Sequence, residues 1–265
     1  MSVSARTNGR FGSSDGAMLL RRLTRLADLL PHEIKVVRGA RANVEEVAAG
    51  TQLFAEGDHL NRVSLVVSGW ACHQRILSDG RRQIFGFALP GDLLGPWCRA
   101  STIAQTTAVM LKSGRIADVT FMRDLLLDAP QRFPGLTSAL ASLQSLHEGY
   151  LLNHLVRLGR QTAYERVASL LLELNHRSAA VGLVQGISSP LPLTQEILAD
   201  ALGLSIVHIN RTLQQLRRDG LLDVRGSYLQ LLDADQLTAI AEFQPPSTEA
   251  STEDWRDFRI AAQVR

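Results

Sequence analysis

The chain has 265 residues, of which 45% are hydrophobic and 20% are charged, and its formal net charge is +2. This composition is that of an ordinary globular protein, and no apolar run approaches the roughly 20 residues that a membrane-spanning helix needs. With so small a net charge, any DNA-binding surface must come from local placement of arginines. Residues 1–16 are polar and lack the apolar stretch of a secretory signal, so we expect a disordered tail on a cytoplasmic protein without membrane contact.

Cys72 and Cys98 are the two cysteines of the sequence. Two cysteines cannot build a disulfide framework, and neither has a neighbour at the spacing of metal ligands. We therefore predict two partly buried free thiols and no metal site. The sequence also has no glycine-rich phosphate loop and no nucleophile elbow, which argues against an enzyme.

Residues 17–130 are predicted to form helices followed by a small β domain. Leucines at helical spacing predict a helix over residues 18–30, and a second short helix is expected over residues 32–39. Between residues 44 and 121, short strand-like runs alternate with turn residues, which is typical of a β-barrel or β-roll. The pair Asp79 and Gly80 predicts a tight hairpin in which both residues have positive φ.

A long helix is predicted over residues 131–158. Its apolar stripe has a stutter at His147 rather than a clean heptad repeat. We interpret the helix as a dimerisation element, because it joins two domains and its stripe is longer than one domain face requires; packing on the β domain is the alternative. The predicted dimer residues are Leu136, Leu140, Leu143, Leu151 and Leu155.

Residues 159–243 are predicted to form a winged helix-turn-helix, with helices over residues 162–174, 194–202 and 205–218 and a hairpin over residues 221–232. Thr194 and Ser205 are good N-caps, and Gly203 can take the left-handed conformation that ends a helix. Ala199 is small where two helices cross, and Ile209 and Leu213 are expected in the core. Residues 244–265 are rich in Pro, Ser, Thr and Glu, which predicts a disordered tail.

The second helix of such a motif lies in the major groove, with its N-terminal residues near base edges. Arg211 can bind a guanine edge through two hydrogen bonds, Val207 can meet a thymine methyl group, and His208 can donate to a base or a phosphate. The hydroxyls and amides near the helix starts can hold phosphates. The complete predicted DNA-binding set is Thr194, Gln195, Ser205, Val207, His208, Asn210, Arg211, Arg217 and Arg218. An ordinary helical hairpin in a protein-binding domain is the alternative.

In this order of elements, the chain resembles the Crp/Fnr superfamily of bacterial regulators. The resemblance rests on residues 56–58 (Glu-Gly-Asp), 67–69 (Val-Ser-Gly), 89–95 (Leu-Pro-Gly-Asp-Leu-Leu-Gly) and 194–218. It implies an α+β fold with a cyclic-nucleotide-binding-like β-roll, a long dimerisation helix and a C-terminal winged helix-turn-helix. It also implies a homodimer on double-stranded DNA with a two-fold symmetric site, and RNA polymerase as a candidate partner.

The chain departs from the family pattern in the recognition helix, where Val207 stands near the position of the glutamate that members often use on cytosine, and in the roll. Where cyclic-AMP-binding members place an acidic residue after Gly95, this chain has Pro96, and where they place an arginine on the phosphate it has Gln105 or Thr106. A buried phosphate needs a charged partner, so the resemblance argues against cyclic AMP unless Arg99 or Arg115 reaches the site. Residues 1–50 contain no cysteine, so no iron–sulfur cluster is expected. A regulator that binds a cyclic nucleotide, or that senses a redox signal or haem, through the pocket of the roll is the alternative.

Overall fold

A computed structural model describes residues 8–10, 16–38, 43–97 and 102–248, with the backbone alone for residues 8–10. The chain divides into two compact units: unit 1 comprises Met1–Arg75 and Gly86–Leu143, and unit 2 comprises Ile76–Phe85 and Gln144–Arg265. Among the described residues, no helix is both long and apolar enough to span a membrane.

The elements up to residue 128 are β1 (Asn8–Arg10), α1 (Ala17–Leu26), α2 (Pro31–Arg38), β2 (Asn43–Val47), β3 (Gln52–Phe54), β4 (His59–Leu60), β5 (Ser64–Ile76), β6 (Arg82–Ala88), β7 (Leu93–Leu94), β8 (Thr102–Ile103), β9 (Thr107–Asp118) and α3 (Thr120–Asp128). The remaining elements are a 3-10 turn (Pro130–Arg132), α4 (Pro134–Arg160), α5 (Ala163–Ala180), β10 (Ser188–Pro190), α6 (Gln195–Leu202), α7 (Ile206–Arg218), β11 (Leu222–Arg225), β12 (Tyr228–Leu231) and α8 (Ala234–Ala241).

Unit 1 is built around one antiparallel sheet with the strand order β1-β2-β9-β5-β6, to which β3 and β7 pair at the side. A second small pair joins β4 to β8. A buried hydrophobic cluster lies within the roll and consists of Val66, Ala71, Ala88, Leu94, Met110 and Ile116. This is the predicted β-roll, and α3, which follows it, was not predicted.

Two sequence predictions for this unit need correction. Residues 1–16 are not a wholly disordered tail, because Asn8–Arg10 pairs with Asn43–Glu45 as an edge strand; residues 1–7 and 11–15 lie outside the described residues. The hairpin at residues 77–81 forms as expected, but only Gly80 has a positive φ, and Leu77 and Arg81 close a loop longer than a two-residue turn.

A buried carboxylate, that of Glu33, links the N-terminal helices of unit 1 to α4. The carboxylate of Glu33, which is fully buried, accepts hydrogen bonds from the backbone N–H of Leu30 at 2.6 Å and of Leu136 at 3.0 Å. Leu136 lies in the first turn of α4, where the N–H groups have no partner within the helix and a negative charge is favoured. Glu33 therefore supplies, from 103 positions earlier in the chain, the capping acceptor that the side chain of Phe133, the residue before the helix, lacks.

Helix α4 has two faces, and the predicted leucine stripe crosses from one to the other. The inner face is buried: Leu136, Leu140, Leu143, Tyr150, His154 and Arg157 lie on it at a heptad spacing, with Ala139 and Leu146 buried beside them. The outer face is exposed at the same spacing, one residue later, and consists of Thr137, Ala141, Gln144, Glu148, Leu151 and Leu155. The stutter predicted at His147 is the place where leucine changes face, so Leu136, Leu140 and Leu143 are core residues of this chain and do not present a surface to a partner.

Unit 2 combines the second half of α4 with the four helices α5 to α8 around a small sheet of order β10-β12-β11. Helix α5 begins with a reciprocal cap in which the Thr162 hydroxyl accepts from the Glu165 N–H and the Glu165 carboxylate accepts from the Thr162 N–H. The hairpin of β11 and β12 forms the predicted wing. Helix α8, which packs on α5, was not predicted.

A buried polar network joins α4 to α5 inside unit 2. The Arg157 guanidinium, which is 1% exposed, donates to the Glu173 carboxylate at 2.8 Å and to the Ser169 hydroxyl at 3.3 Å. Glu173 also accepts from Arg177 at 3.4 Å. Another nitrogen of Arg157 lies 3.3 Å from His154 Nδ1, which must accept there because a guanidinium can only donate.

This environment holds His154 neutral. Burial, and then the positive charge of Arg157, lower the pKa of His154 to about 4, although the Glu173 charge and the Ile84 backbone act in the opposite direction. Between the unfolded pKa near 6.5 and the folded value, the unfolded chain binds one more proton than the folded chain. The contribution of His154 to stability is therefore complete above the unfolded pKa and is lost as the pH falls through this window.

We expect wild-type protein to lose about 2 kcal/mol of unfolding free energy through His154 when the pH falls from about 7.5 to about 5. A His154→Gln variant, which keeps an acceptor but cannot be protonated, should have a flatter stability profile over that range. Urea unfolding at several pH values measures the difference, and His59→Gln serves as the control because His59 is exposed. Parallel profiles for wild type and His154→Gln would show that His154 is not held neutral.

Candidate nucleic-acid interface

The turn between α6 and α7 is built from local hydrogen bonds that the sequence predicts. The Thr194 hydroxyl accepts from the Ile197 N–H and the Ser205 hydroxyl accepts from the His208 N–H, each at 3.2 Å. Gly203 ends α6 with φ 62°, a left-handed conformation that a side chain would strain. Both N-cap hydroxyls still have their own hydrogen to donate, as a phosphate contact requires.

Helix α7 divides cleanly into a core side and a free side. Ile209, Thr212 and Leu216 are buried, whereas Leu213, which was predicted to be a core residue, is only half-buried. On the other side Val207, His208 and Arg211 are exposed, and so is Ile206. Ile206 was not in the predicted set, although an exposed branched residue in the first turn of this helix is a signal for a base contact.

Asn210 has a different place from the one predicted. It is half-buried, and its side-chain amide donates to the Gln195 side-chain oxygen at 3.1 Å while its own oxygen accepts from Gln214 at 2.9 Å. Two residues of the predicted DNA set, Asn210 and Gln195, are thus bonded to each other across α6 and α7. Their pairing links α6 to α7, and it leaves Gln214 and Arg211 as the neighbouring exposed polar groups.

The basic residues after Arg211 are partly used inside the wing. Arg217 donates to Asp223 at 2.6 Å and to the Val224 carbonyl at 2.9 Å, and Asp223 also accepts from Arg225 at 2.5 Å. Hydrogen bonds from Arg225 and then Arg217 hold the pKa of Asp223 below its usual value. Two guanidiniums share one carboxylate, so this edge keeps a net positive charge. Arg218 donates to Gln215 at 2.6 Å and is exposed.

The end of α7 is fastened to α5 by a tyrosine. The Tyr164 hydroxyl donates to the Asp219 carboxylate at 2.6 Å. Burial and then this bond raise the pKa of Tyr164 to about 12, and the same bond is the largest cause that lowers the pKa of Asp219. The recognition helix is thus tied at both ends, by Asn210 to α6 and by Asp219 to α5.

The roll positions that the resemblance singled out are engaged within the chain. Gly95 has φ +100°, and any side chain there would collide with the Arg62 carbonyl; Pro96 follows it. The Gln105 side chain donates to the Ile103 carbonyl at 3.2 Å, and the Thr106 hydroxyl lies 3.0 Å from His73 Nδ1.

Arg75 is the cation beside these positions, and sequence reasoning missed it. Its guanidinium donates to the Glu56 carboxylate at 2.5 and 2.8 Å and to the Gln105 carbonyl at 3.0 Å. Arg115 was the other candidate for a positive charge at the expected phosphate site. It lies eight residues along β9 from Thr107, which at about 3.3 Å per residue is too far for its side chain to reach that site. Arg99 and Cys98 lie outside the described residues, and Cys72 is fully buried.

Comparison with known families matches both units. Residues 44–119 match the cyclic nucleotide-binding domain, and residues 165–240 match the Crp-like helix-turn-helix domain. The roll and the wing described above are therefore those of two recognised domain families, in the order that the sequence predicted.

The chain is also similar, over most of its length, to named regulatory proteins. The chain is 34% identical to the transcriptional activator protein FnrL of Cereibacter sphaeroides over 67% of this chain and 71% of that protein. It is 32% identical to the nitrogen fixation regulation protein FixK of Bradyrhizobium diazoefficiens over 73% of this chain and 80% of that protein. The structure of FixK2 from Bradyrhizobium japonicum superposes with a TM-score of 0.66 at 28% identity and covers 75% of this chain and 96% of FixK2. The chain belongs to the Crp/Fnr family of DNA-binding transcription regulators.

Proposed function

We propose that this regulator binds a two-fold symmetric DNA site as a homodimer, with one copy of α7 in the major groove of each half-site. The observation that carries the proposal is the division of α7: its core side and both ends are fastened, while Ile206, Val207, His208 and Arg211 are exposed together. Thr194, Gln195 and Ser205 lie at helix starts, where they suit phosphates. Arg217, Arg218 and Arg225 add positive charge along the wing.

Activation of transcription is the direction that the relatives support. FnrL carries the word activator in its name, and RNA polymerase would then be a further partner of this chain. The proposed base-contacting residues of α7 differ from the family's common pattern at Val207, which offers a methyl contact to thymine instead of a carboxylate to cytosine. The target sequence of this protein should therefore differ from that of relatives with a glutamate at this position.

We expect Arg211→Ala to lose about 1–3 kcal/mol of discrimination at one base pair, since a bidentate contact to guanine would be removed. The probe is the duplex that wild-type protein selects from a randomised DNA library, titrated at one salt concentration. Arg211→Lys is the matched variant: it keeps the charge, so it should retain non-specific binding but lose most of the discrimination. Equal affinity of wild type and Arg211→Ala for the selected duplex would remove α7 from the base-reading role.

The outer face of α4 is the surface that fits a second copy. Among the exposed residues of this helix, four apolar side chains lie next to each other: Leu151, Leu152, Leu155 and Val156. Leu151 is 48% exposed and Leu155 is 59% exposed, so covering the patch would remove apolar surface from water, which is favourable. Heptad spacing continues toward Thr137 through Glu148, Gln144 and Ala141, and the small side chains of Ala141 and Thr137 allow two helices to approach closely at that end. Of the predicted dimer residues, Leu151 and Leu155 are retained in this proposal.

Replacing Leu151 and Leu155 together with glutamate should give a folded monomer with weaker DNA binding, because one half-site forfeits the contacts of the other. Light scattering measures the mass, and titration with the selected duplex measures the affinity. The control is Leu127→Glu, which places a charge on another exposed leucine, on α3, and should leave the dimer intact. A dimeric double variant would place the interface elsewhere.

We further propose that the roll does not respond to cyclic AMP. The donors at the expected phosphate site are neutral, and the nearby Arg75 is already neutralised by Glu56. Displacing Glu56 would leave a carboxylate without its partner, and Pro96 removes a backbone donor from the turn. The chain has two cysteines, whereas an iron–sulfur cluster is commonly held by four, so no such cluster is proposed.

Isothermal titration with cyclic AMP and with cyclic GMP should show no binding in the micromolar range. The physical reason is that a buried phosphate monoanion without a cationic partner costs several kcal/mol. Glu56→Gln provides a matched test, because it frees the Arg75 guanidinium and should be the variant in which weak nucleotide binding first appears. Micromolar affinity of the wild-type protein for either nucleotide would contradict the proposal and restore the nucleotide-sensing alternative.

A further inference from the structure

The hairpin between β5 and β6 is grouped with unit 2, although the two strands that lead into it belong to the roll sheet. Arg82 and Gln83 of this hairpin are each 118 positions away from their hydrogen-bond partners in α6. Local sequence patterns gave no reason to expect this contact. Neither the roll fold nor the exposed face of α7 accounts for this contact between the hairpin and α6.

Arg82 holds the side of α6. Its Nε and one terminal nitrogen lie 2.7 and 2.6 Å from the same carboxylate oxygen of Asp200, and Glu196, one turn earlier, is 3.9 Å away. The Arg82 side chain is 27% exposed and that of Asp200 24%, so water screens this pair less than a surface pair. Next to it, the Gln83 side-chain amide donates to the Ala201 carbonyl at 3.2 Å.

These two contacts compensate for two features that destabilise the last turn of α6. The last four carbonyls of a helix have no partner within it, and Ala201 is one of them. The last turn also carries the acidic Asp200 and no basic residue, although the helix dipole disfavours a negative charge there. An eight-residue helix is too short to be stable on its own, so an unpaired carbonyl and an unfavourable charge would weaken α6 further. Gln83 supplies the missing donor, and Arg82 supplies the missing positive charge.

We propose that Arg82 is a positioning residue for DNA recognition, which holds α6 from the hairpin and thereby sets the angle of α7. Helix α6 carries Thr194 and Gln195 at its start, and Gln195 bonds Asn210 of α7. Movement of α6 would therefore shift both the phosphate contacts and the base-reading helix. This inference rests on the proposed DNA-binding role of α7.

The test uses the full-length protein with Arg82→Ala and the matched control Arg81→Ala. Arg81 lies on the same hairpin, is exposed and pairs with Asp79 of the hairpin itself, so its loss removes the same charge without touching α6. Hydrogen–deuterium exchange of the segment covering α6 should be several-fold faster in Arg82→Ala than in wild type, and unchanged in Arg81→Ala. Affinity for the duplex selected by wild-type protein should fall about threefold to tenfold in Arg82→Ala alone.

A third variant, Arg82→Ala with Asp200→Asn, separates positioning from charge. If Arg82 only neutralises Asp200, this double variant regains wild-type affinity, and the positioning role is wrong. If Arg82 holds the helix, exchange of α6 stays fast and affinity stays low. Identical exchange in Arg82→Ala and Arg81→Ala would also overturn the proposal. Failure of the wild-type protein to select any duplex would instead count against the proposed function, while the exchange result still decides whether Arg82 holds α6.

Discussion

The contact between Arg157 and Glu173 is the interaction on which the DNA-binding unit depends. Both side chains are buried, and removing two charges from water costs several kcal/mol each unless good geometry and further hydrogen bonds repay it. Here Ser169 and Arg177 supply those bonds. Breaking the pair would leave a buried charge without a partner, which typically costs about 3–5 kcal/mol. The network therefore joins the second half of α4 to α5 in one arrangement rather than in several that an apolar contact would permit.

This arrangement also explains why α4 can serve two purposes. Its inner face is occupied by the chain's own core, including the buried network, so rotation of the helix about its axis is blocked. The outer face is consequently presented in one fixed direction, with Leu151 and Leu155 exposed. A helix that is apolar on both faces would ordinarily be able to slip; polar residues such as His154 and Arg157 on the inner face specify which side stays inside.

Sequence reasoning succeeded where a structure depends on neighbours in the chain. The caps at Thr194 and Ser205 and the turn at Gly203 are local, and they are among the signals that indicate the helix-turn-helix. It failed where a residue's partner is distant: the leucine stripe of α4 was treated as one face because burial of Leu143 and exposure of Leu151 depend on tertiary packing. For the same reason Asn8–Arg10, which gains its structure from β2, was taken as a tail.

The corrections at the candidate site follow one physical rule. A polar side chain on a recognition helix serves either the fold or the ligand, and the residue types alone do not say which. Asn210 and Arg217 have the chemistry to read DNA, but both amide groups of Asn210 and part of the Arg217 guanidinium are engaged in hydrogen bonds within the fold. Arg211 has the same chemistry and is exposed, so its donors remain for a base. Residues that are satisfied inside the fold set where the helix lies, and the exposed ones decide what it reads.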